Sequence, residues 1–147
     1  MRISVALAYY NGEKYIEDQV ASILHQLGAG DELVISVDAA DPASRKILKD
    51  VSESDSRIRV IRGPGKGVVK NFERAIRACR NEVIFLSDQD DVWAPNKVER
   101  VMKEFGDPGV TAVLHDARLI DGQGTFLDEK SMFSFRRTDT GAVHNLV

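Results

Sequence analysis

The regular alternation of two kinds of segment is what most constrains the fold of this chain. Short runs rich in β-branched and apolar residues, typical of strands buried on both faces, are each followed by a run with apolar residues at helical spacing. This pattern occurs four times, and a further strand-like run follows it. The predicted strands span 2–8, 32–37, 57–61, 82–86 and 110–114, and the predicted helices span 13–27, 42–54, 69–79 and a segment that opens at Pro95.

Strands that alternate with helices along a chain form a parallel or mostly parallel sheet covered by helices on both faces. We therefore predict an α/β fold in three layers. In such a sheet the ligand lies outside the carboxyl ends of the strands, so the residues that follow each strand are the candidates for a site. These are Ala8 to Gly12, Asp38 to Asp41, the glycine-rich loop from Gly63 to Gly67, and Asp88 to Asp91.

Composition excludes several classes of protein. Of the 147 residues, 43% are hydrophobic and 29% are charged, which is too apolar for intrinsic disorder. The net charge of −3 gives no general electrostatic case for binding nucleic acid. The longest apolar runs are far shorter than the roughly 20 residues of a membrane span. The single cysteine, Cys79, cannot form an internal disulfide and favours a reducing cytoplasm. We place Cys79 in the core, on an apolar stripe of the third helix with Val69, Phe72, Ala75 and Ile76.

The strongest local signal is the acidic segment after the fourth predicted strand. Asp88, Asp90 and Asp91 lie within four residues, and their charges repel one another unless a cation or hydrogen-bond donors neutralise them. Carboxylate oxygens, completed by water and phosphate oxygens, hold Mg²⁺ or Mn²⁺ against a diphosphate. A purely structural alternative is open, in which these residues form turns and cap the helix that opens at Pro95.

Two further loops offer weaker signals. Asp38 lies where an acidic residue can accept hydrogen bonds from a nucleotide base or ribose, although it could equally form a turn before Pro42. The loop Gly63-Pro64-Gly65-Lys66-Gly67 matches neither a Walker A loop nor a dinucleotide fingerprint. Because it leads into a helix amino terminus with Lys66 and Lys70 nearby, it could attract phosphate, and a plain turn is the alternative.

Several stretches together resemble a known family. They are ISVALAYYNGEKYIEDQVASILHQ, ELVISVDAAD, VVKNFERAI and above all VIFLSDQDDVWAPNKVE. They resemble the nucleotide-sugar-binding half of family 2 glycosyltransferases of the GT-A fold, and SDQDDVW looks most like bacterial members that add rhamnose or related sugars to cell-surface polysaccharide. The resemblance covers nearly the whole chain and implies a Rossmann-like three-layer sandwich that binds a UDP- or dTDP-linked sugar with Mg²⁺ or Mn²⁺.

The resemblance also implies roles for individual residues. The Asp-x-Asp motif of the family binds the metal and the diphosphate, which implies Asp90 as metal ligand, Asp88 near the ribose or metal, and Asp91 beside them. A metal together with Lys66 or Lys70 could stabilise the charge that builds on the β-phosphate as the sugar leaves.

The nucleotide-contacting positions of the family map onto two strand ends. The second member of an Asp pair after strand two contacts the base and corresponds to Asp38, and residues after strand one correspond to Ala8, Tyr9 and Tyr10. The first member of the Asp pair is here Val37, and the common Thr or Pro after strand one is here Ala8. These departures remove expected polar contacts to the nucleotide and leave the acidic segment intact.

The general base of an inverting transfer is not identified in this sequence. In the family it belongs to an acceptor-binding half, and the recognisable pattern stops before that motif. We therefore expect 1–147 to be a single donor-binding domain truncated before the acceptor half, with weak or no transfer activity alone, and with the base beyond Val147. The expected partners are a nucleotide-diphospho-sugar and a glycan or lipid-linked glycan acceptor. The expected location is cytoplasmic, with peripheral association at the inner face of the membrane left open.

Two other functions fit the sequence less well. A sugar-phosphate nucleotidyltransferase also pairs acidic residues with Mg²⁺, but strand one would then lead into a glycine-rich loop, which Ala8 to Gly12 does not supply. A catalytically silent nucleotide-binding module is the alternative from another class.

Overall fold

The computed structural model describes residues 1–135. The chain divides into two compact units, 1–100 and 101–147. The first unit contains the alternating segments, and the second contains a small hairpin. The elements are β1 (Ile3–Tyr10), α1 (Ile16–Leu24), β2 (Glu32–Ala39), α2 (Pro42–Ser54), β3 (Ile58–Arg62), α3 (Val68–Ala78), β4 (Val83–Ser87), α4 (Lys97–Glu104), β5 (Arg118–Ile120), β6 (Phe126–Ser131) and α5 (Met132–Phe135).

The first unit is built on a four-stranded sheet in the order β3-β2-β1-β4, in which every neighbouring pair is parallel. The helix α3 packs on β1 and β2, α2 packs on β3, and α1 contacts α2. The connections through α1 and α2 lead across the sheet from β1 to β3, and the connection through α3 leads back in the opposite direction to β4. Since connections between parallel strands are right-handed, α3 lies on the opposite face of the sheet from α1 and α2. The predicted α/β sandwich with a parallel central sheet is confirmed.

The core of the first unit is centred on β1. Seven of its eight residues are buried, as expected for a central strand covered on both faces, whereas Tyr10 at its carboxyl end is exposed. The adjoining strand β2 is buried from Glu32 to Ser36 and becomes half-buried toward Ala39. The two central strands therefore bring their carboxyl ends out of the core at the same edge.

Two predictions about the fold are wrong. Residues 110–114 were expected to form a fifth strand, but they are irregular, and Leu114 is 59% exposed. A β-branched run fits a pleated sheet but forms a strand only where a neighbouring strand accepts its hydrogen bonds. The predicted stripe of α3 is also displaced, because Val69 is 68% exposed while the polar Asn71 is buried.

The second unit contains an antiparallel hairpin of β5 and β6. Asp121 organises its turn by accepting hydrogen bonds from the amides of Gln123 and Thr125, and Gly124 adopts a positive φ of 82°. The sequence Gly122-Gln123-Gly124 is typical of such a turn. Along residues 1–135 no helix is both long enough and apolar enough to cross a bilayer.

Candidate functional site

A cavity of about 630 Å³ opens at the carboxyl ends of the strands in the first unit. It lies at the point where the strand order reverses, because the chain proceeds from β1 outward to β3 and then returns to the other side of β1 as β4. Ligands of open α/β sheets bind at this switch point. The cavity is lined by Ala8, Tyr9, Tyr10, Asp38, Ala39, Gly65, Gly67, Val68, Asn71, Asp88, Gln89 and Asp90.

The acidic segment after β4 is held in place from α1. Gln19 is fully buried, and its side-chain amide donates to Ser87 Oγ at 2.5 Å and to the carbonyl of Asp88 at 3.0 Å. These two bonds fix the backbone at the point where β4 ends and the acidic segment begins. A charged side chain at this buried position would carry a desolvation penalty that a neutral amide avoids.

Two more polar side chains continue this contact along the same helix face. Ser22 Oγ accepts a hydrogen bond from the Trp93 amide at 3.0 Å. Gln26, just beyond the end of α1, donates to the carbonyl of Ala94 and accepts from the Val98 amide, both at 3.0 Å. Residues at positions 19, 22 and 26 lie on one face of a helix because they are three and four apart. A polar stripe therefore secures the whole segment from Ser87 to Val98.

An aromatic anchor closes the far end of this segment. Trp93 is only 4% exposed, and its ring lies 5.5 Å from that of Phe85 on β4. The Lys97 ammonium lies 4.2 Å from the centre of the Trp93 ring. Burial lowers the pKa of Lys97 to about 8, while the charge of Asp91 acts in the opposite direction. Because the two ends of the segment are fixed, the acidic residues between them are presented on a supported loop.

The carboxylates of this loop interact with one another. Desolvation at the cavity wall raises the pKa of Asp88, and the negative charges of Asp91 and Asp90 raise it further. A cation beside Asp88 would relieve this repulsion, so the donor set suits a divalent ion with hard oxygen ligands. In the part of the chain that the structure describes, no three acidic, histidine or cysteine side chains converge as a preformed metal cage. Sites of this open kind complete the shell of Mg²⁺ with substrate phosphates and water.

Asp38 organises the glycine-rich loop on the other side of the cavity. Its carboxylate accepts hydrogen bonds from the amides of Gly65 at 2.8 Å and Gly67 at 3.1 Å. Both glycines have a positive φ, 65° and 86°, which L side chains rarely adopt. Asp38 does not form the turn before Pro42 that was the alternative interpretation. The residue that caps α2 is Asp41, whose side chain accepts a hydrogen bond from the Ser44 amide.

Asn71 joins the two central strands beneath the cavity. Its side-chain amide, 2% exposed, donates to the carbonyl of Tyr9 on β1 and to that of Ser36 on β2, at 3.2 Å and 2.9 Å. The register between these strands shifts just beyond Tyr9. An amide at this place satisfies carbonyls from both strands close to the shift.

The structure brings most of the predicted site residues together. Ala8, Tyr10, Asp38, Asp88 and Asp90 all line the cavity. Asp91, Lys66 and Lys70 are exposed and do not line it, and Lys70 forms an ion pair with Glu73 at 2.9 Å. The roles assigned to all these residues stay predictions.

Sequence reasoning gave no role to Asn71 and Gln89, which line the cavity, or to Gln19 and Gly12, which hold the acidic loop and make room for it. A polar residue on the otherwise apolar stripe of α1 was the available signal for Gln19.

Comparison with known proteins agrees with this geometry. The family model described as glycosyl transferase family 2 matches residues 4–144. An uncharacterized glycosyltransferase of Nostoc sp. is 31% identical over 132 residues, which cover 89% of this chain and 41% of that protein. A putative teichuronic acid biosynthesis glycosyltransferase of Bacillus subtilis, TuaG, is 28% identical over 130 residues, covering 86% of this chain and 51% of its own. The chain thus spans about half the length of these relatives or less.

Solved structures share the fold. A mannosyltransferase of Pyrobaculum calidifontis, solved with GDP-Man and Mn²⁺, superposes with a TM-score of 0.67 at 18% identity and covers 80% of this chain and 35% of that one. The TarS 1–349 structure from S. aureus with UDP gives a TM-score of 0.60 at 22% identity, covering 72% and 32%. The parallel sheet with an acidic loop at its switch point and the family match over nearly all residues lead to one conclusion: this chain belongs to glycosyl transferase family 2.

Proposed function

We propose that this chain is the donor-binding portion of a glycosyltransferase that uses a nucleotide-diphospho-sugar together with Mg²⁺ or Mn²⁺. The observation that carries the proposal is that Asp88 and Asp90 line the same cavity as the strand ends of β1 and β2. A nucleotide in this cavity would place its base toward Asp38 and Ala8, and its diphosphate toward the acidic loop. Two proteins of the same fold were solved with GDP-Man and Mn²⁺ and with UDP, which supports a nucleotide-sugar as the proposed ligand.

The proposed division of roles follows from charge. A bound metal would neutralise the diphosphate and stabilise the charge that develops on it as the sugar leaves. Asp90, with Asp88, would hold that metal, and Asp91 would add negative potential from outside the cavity. Lys66 and Lys70, both exposed and close to the amino terminus of α3, would attract the anionic donor from solution rather than bind it deeply.

Several finer points belong to the same proposal. The transfer is inverting, its acceptor is a glycan or lipid-linked glycan of a cell-surface polysaccharide, and the sugar is rhamnose or a related one carried on UDP or dTDP. The chain spans about half or less of the length of its relatives, and we propose that a part of the enzyme outside it supplies the general base, so that this chain alone binds the donor and transfers weakly or not at all. The cytoplasmic location expected from the single cysteine is part of the proposal.

Calorimetric titration with UDP and dTDP, with and without Mn²⁺, tests the proposal. We expect metal-dependent binding of at least one nucleotide, and we expect Asp90→Asn to weaken it by about tenfold or more, the loss of one charged ligand. Asp18→Asn, which removes an exposed carboxylate from α1, is the matched control and should bind as the unaltered chain does. Absence of metal-dependent heat with every nucleotide would refute the proposal. Binding that Asp90→Asn leaves unchanged would instead favour a silent nucleotide-binding module.

A further inference from the structure

The side chain of Gln89 makes a pair of hydrogen bonds that no other residue of the acidic loop makes among the described residues. Its Oε1 accepts from the Tyr10 amide at 2.7 Å, and its Nε2 donates to the Tyr10 carbonyl at 2.9 Å. Both main-chain groups of one residue are thus bound by one side chain. We refer to this pair of bonds as the Gln89–Tyr10 bridge.

The bridge lies where the backbone pairing of the sheet has already ended. The last paired residues of β1 and β4 are Leu7 and Ser87, and β1 then continues for three more residues beside β2 alone. On the β4 side of Tyr10, the side-chain amide of Gln89 makes the main-chain hydrogen bonds that a further residue of β4 would otherwise make. The bridge therefore fastens the acidic loop to the end of β1, 79 residues away in sequence.

Gly12 leaves the space in which the Gln89 amide lies. A Cβ atom at position 12 would clash with Gln89 Cδ and would meet Oε1 at 2.5 Å and Nε2 at 2.8 Å, and these are its three nearest atoms. The backbone of Gly12 does not have a positive φ, so an alanine would be acceptable to the backbone itself. Since the obstructing group is the end of a flexible side chain, an added methyl group would displace Gln89 rather than disrupt the fold.

We propose that Gln89 is a positioning residue for donor binding. Its side chain sets the separation between the Asp88 and Asp90 carboxylates and the main chain at Tyr10, and the glycine at position 12 leaves the room that this side chain needs. This inference rests on the proposed function. Gln89, its neighbours Asp88 and Asp90, and Tyr10 all line the cavity. Because Gln89 is neutral, it can hold the loop without neutralising the carboxylates beside it.

The first test needs no ligand. Amide hydrogen exchange, followed by NMR on the full chain, should show Tyr10 protected in the unaltered protein and exchanging at least about tenfold faster in Gln89→Ala, because its amide then loses its acceptor. Leu7 and the other amides of the β1–β4 ladder should keep their rates. Unchanged exchange at Tyr10 would overturn the bridge, and faster exchange along all of β1 would show a general loss of structure and overturn the specific role.

The second test is a double-mutant cycle read out as UDP affinity with and without Mn²⁺. Gln89→Ala and Gly12→Ala should each weaken the Mn²⁺-dependent affinity by about tenfold, the equivalent of about one hydrogen bond, and weaken the metal-free affinity less. The double variant should bind no more weakly than either single one, because alanine at position 12 has nothing to displace once Gln89 is gone. Gln123→Leu, at the exposed hairpin turn, is the control for a Gln substitution as such and should change neither affinity.

The outcomes separate the two proposals. Additive losses in the double variant would overturn the pairing of Gly12 with Gln89, and unchanged Mn²⁺-dependent affinity in Gln89→Ala would overturn its positioning role. If the unaltered chain binds no nucleotide with metal, the proposed function fails and the positioning role fails with it, while the exchange of Tyr10 still decides whether the bridge exists.

Discussion

Replacement of Asn71 by leucine should destabilise the first unit although the two side chains are close in size. Asn71 is 2% exposed and donates to the carbonyls of Tyr9 and Ser36, so leucine removes both donors without leaving a large cavity. Each ordinary hydrogen bond contributes about 1 kcal/mol, and two such bonds in a buried place are lost together. We expect a loss of about 1–3 kcal/mol in the free energy of unfolding. At roughly 4 °C per kcal/mol for a chain of this size, the melting temperature should fall by about 4–12 °C.

Urea unfolding followed by circular dichroism measures this loss, with Arg74→Leu as the control because Arg74 is exposed on the same helix. The control should lie within about 0.5 kcal/mol of the unaltered chain. Asn71→Asp sharpens the test, since a carboxylate beside two carbonyls has no donor and its pKa is raised in the folded state. Its stability should therefore fall as the pH rises through that raised pKa. If Asn71→Leu matches Arg74→Leu, or if the stability of Asn71→Asp rises with pH, the reasoning is refuted.

Three further predictions concern residues around the same sheet. Burial alone would raise the pKa of Glu32, but hydrogen bonds from Arg59, Ser4 and the Arg80 amide bring it below its usual 4.5. The stability it contributes should be present above about pH 4.5 and lost as the pH falls further, so Glu32→Gln should cost about 2 kcal/mol in urea at pH 7 and progressively less toward pH 3. Gln19→Leu should lower the melting temperature by several degrees and weaken Mn²⁺-dependent nucleotide binding, which calorimetry would show, because it releases Ser87 and the Asp88 carbonyl. Burial, with the charge of Glu32, raises the pKa of Cys79 to about 11, so alkylation by iodoacetamide at pH 8 should be roughly 100-fold slower than for a thiol of pKa 9, and a rate independent of pH between 8 and 10 would contradict this.

The parallel sheet could be predicted from the sequence because its signal is local. Each strand of the first unit is a short apolar run, each helix repeats its apolar residues at 3.6, and the order of the two kinds of segment determines the layers. The failures have a common cause. Residues 110–114 have the composition of a strand, but a strand also needs a partner, and no local pattern specifies one.

The helix α3 failed for a related reason. Hydropathy places Val69 inside and Asn71 outside, yet Asn71 is buried at the helix surface that faces β1 and β2, where it donates to the carbonyls of Tyr9 and Ser36. The position of those carbonyls depends on how two distant strands pair and where their register shifts. Satisfying buried main-chain groups outweighed the apolar preference at this position.

The candidate site was predicted only as far as charge reveals it. Asp88 and Asp90 attract attention because clustered carboxylates demand a neutraliser, and their loop does line the cavity. The residues that support them are uncharged amides whose partners are remote: Gln19 contacts Ser87 across 68 residues, and Gln89 contacts Tyr10 across 79. A single sequence carries no mark of such pairs.

The use of amides rather than charged side chains behind this loop has a physical reason. Gln19, Asn71 and Gln89 all bind main-chain groups at the strand ends, a task for which lysine or arginine could supply the donors toward carbonyls. A cation at position 19 or 89 would add positive charge beside the acidic loop, lower the raised pKa of Asp88 and compete with a metal for the carboxylate oxygens. A neutral amide adds no charge, and in Gln89 it binds the backbone with both its donor and its acceptor. The carboxylates thereby keep the mutual repulsion that already raises the pKa of Asp88, and a divalent cation would relieve it most fully. Substituting lysine for Gln89 should therefore weaken metal binding more than alanine does, even where the lysine restores a bond to the Tyr10 carbonyl.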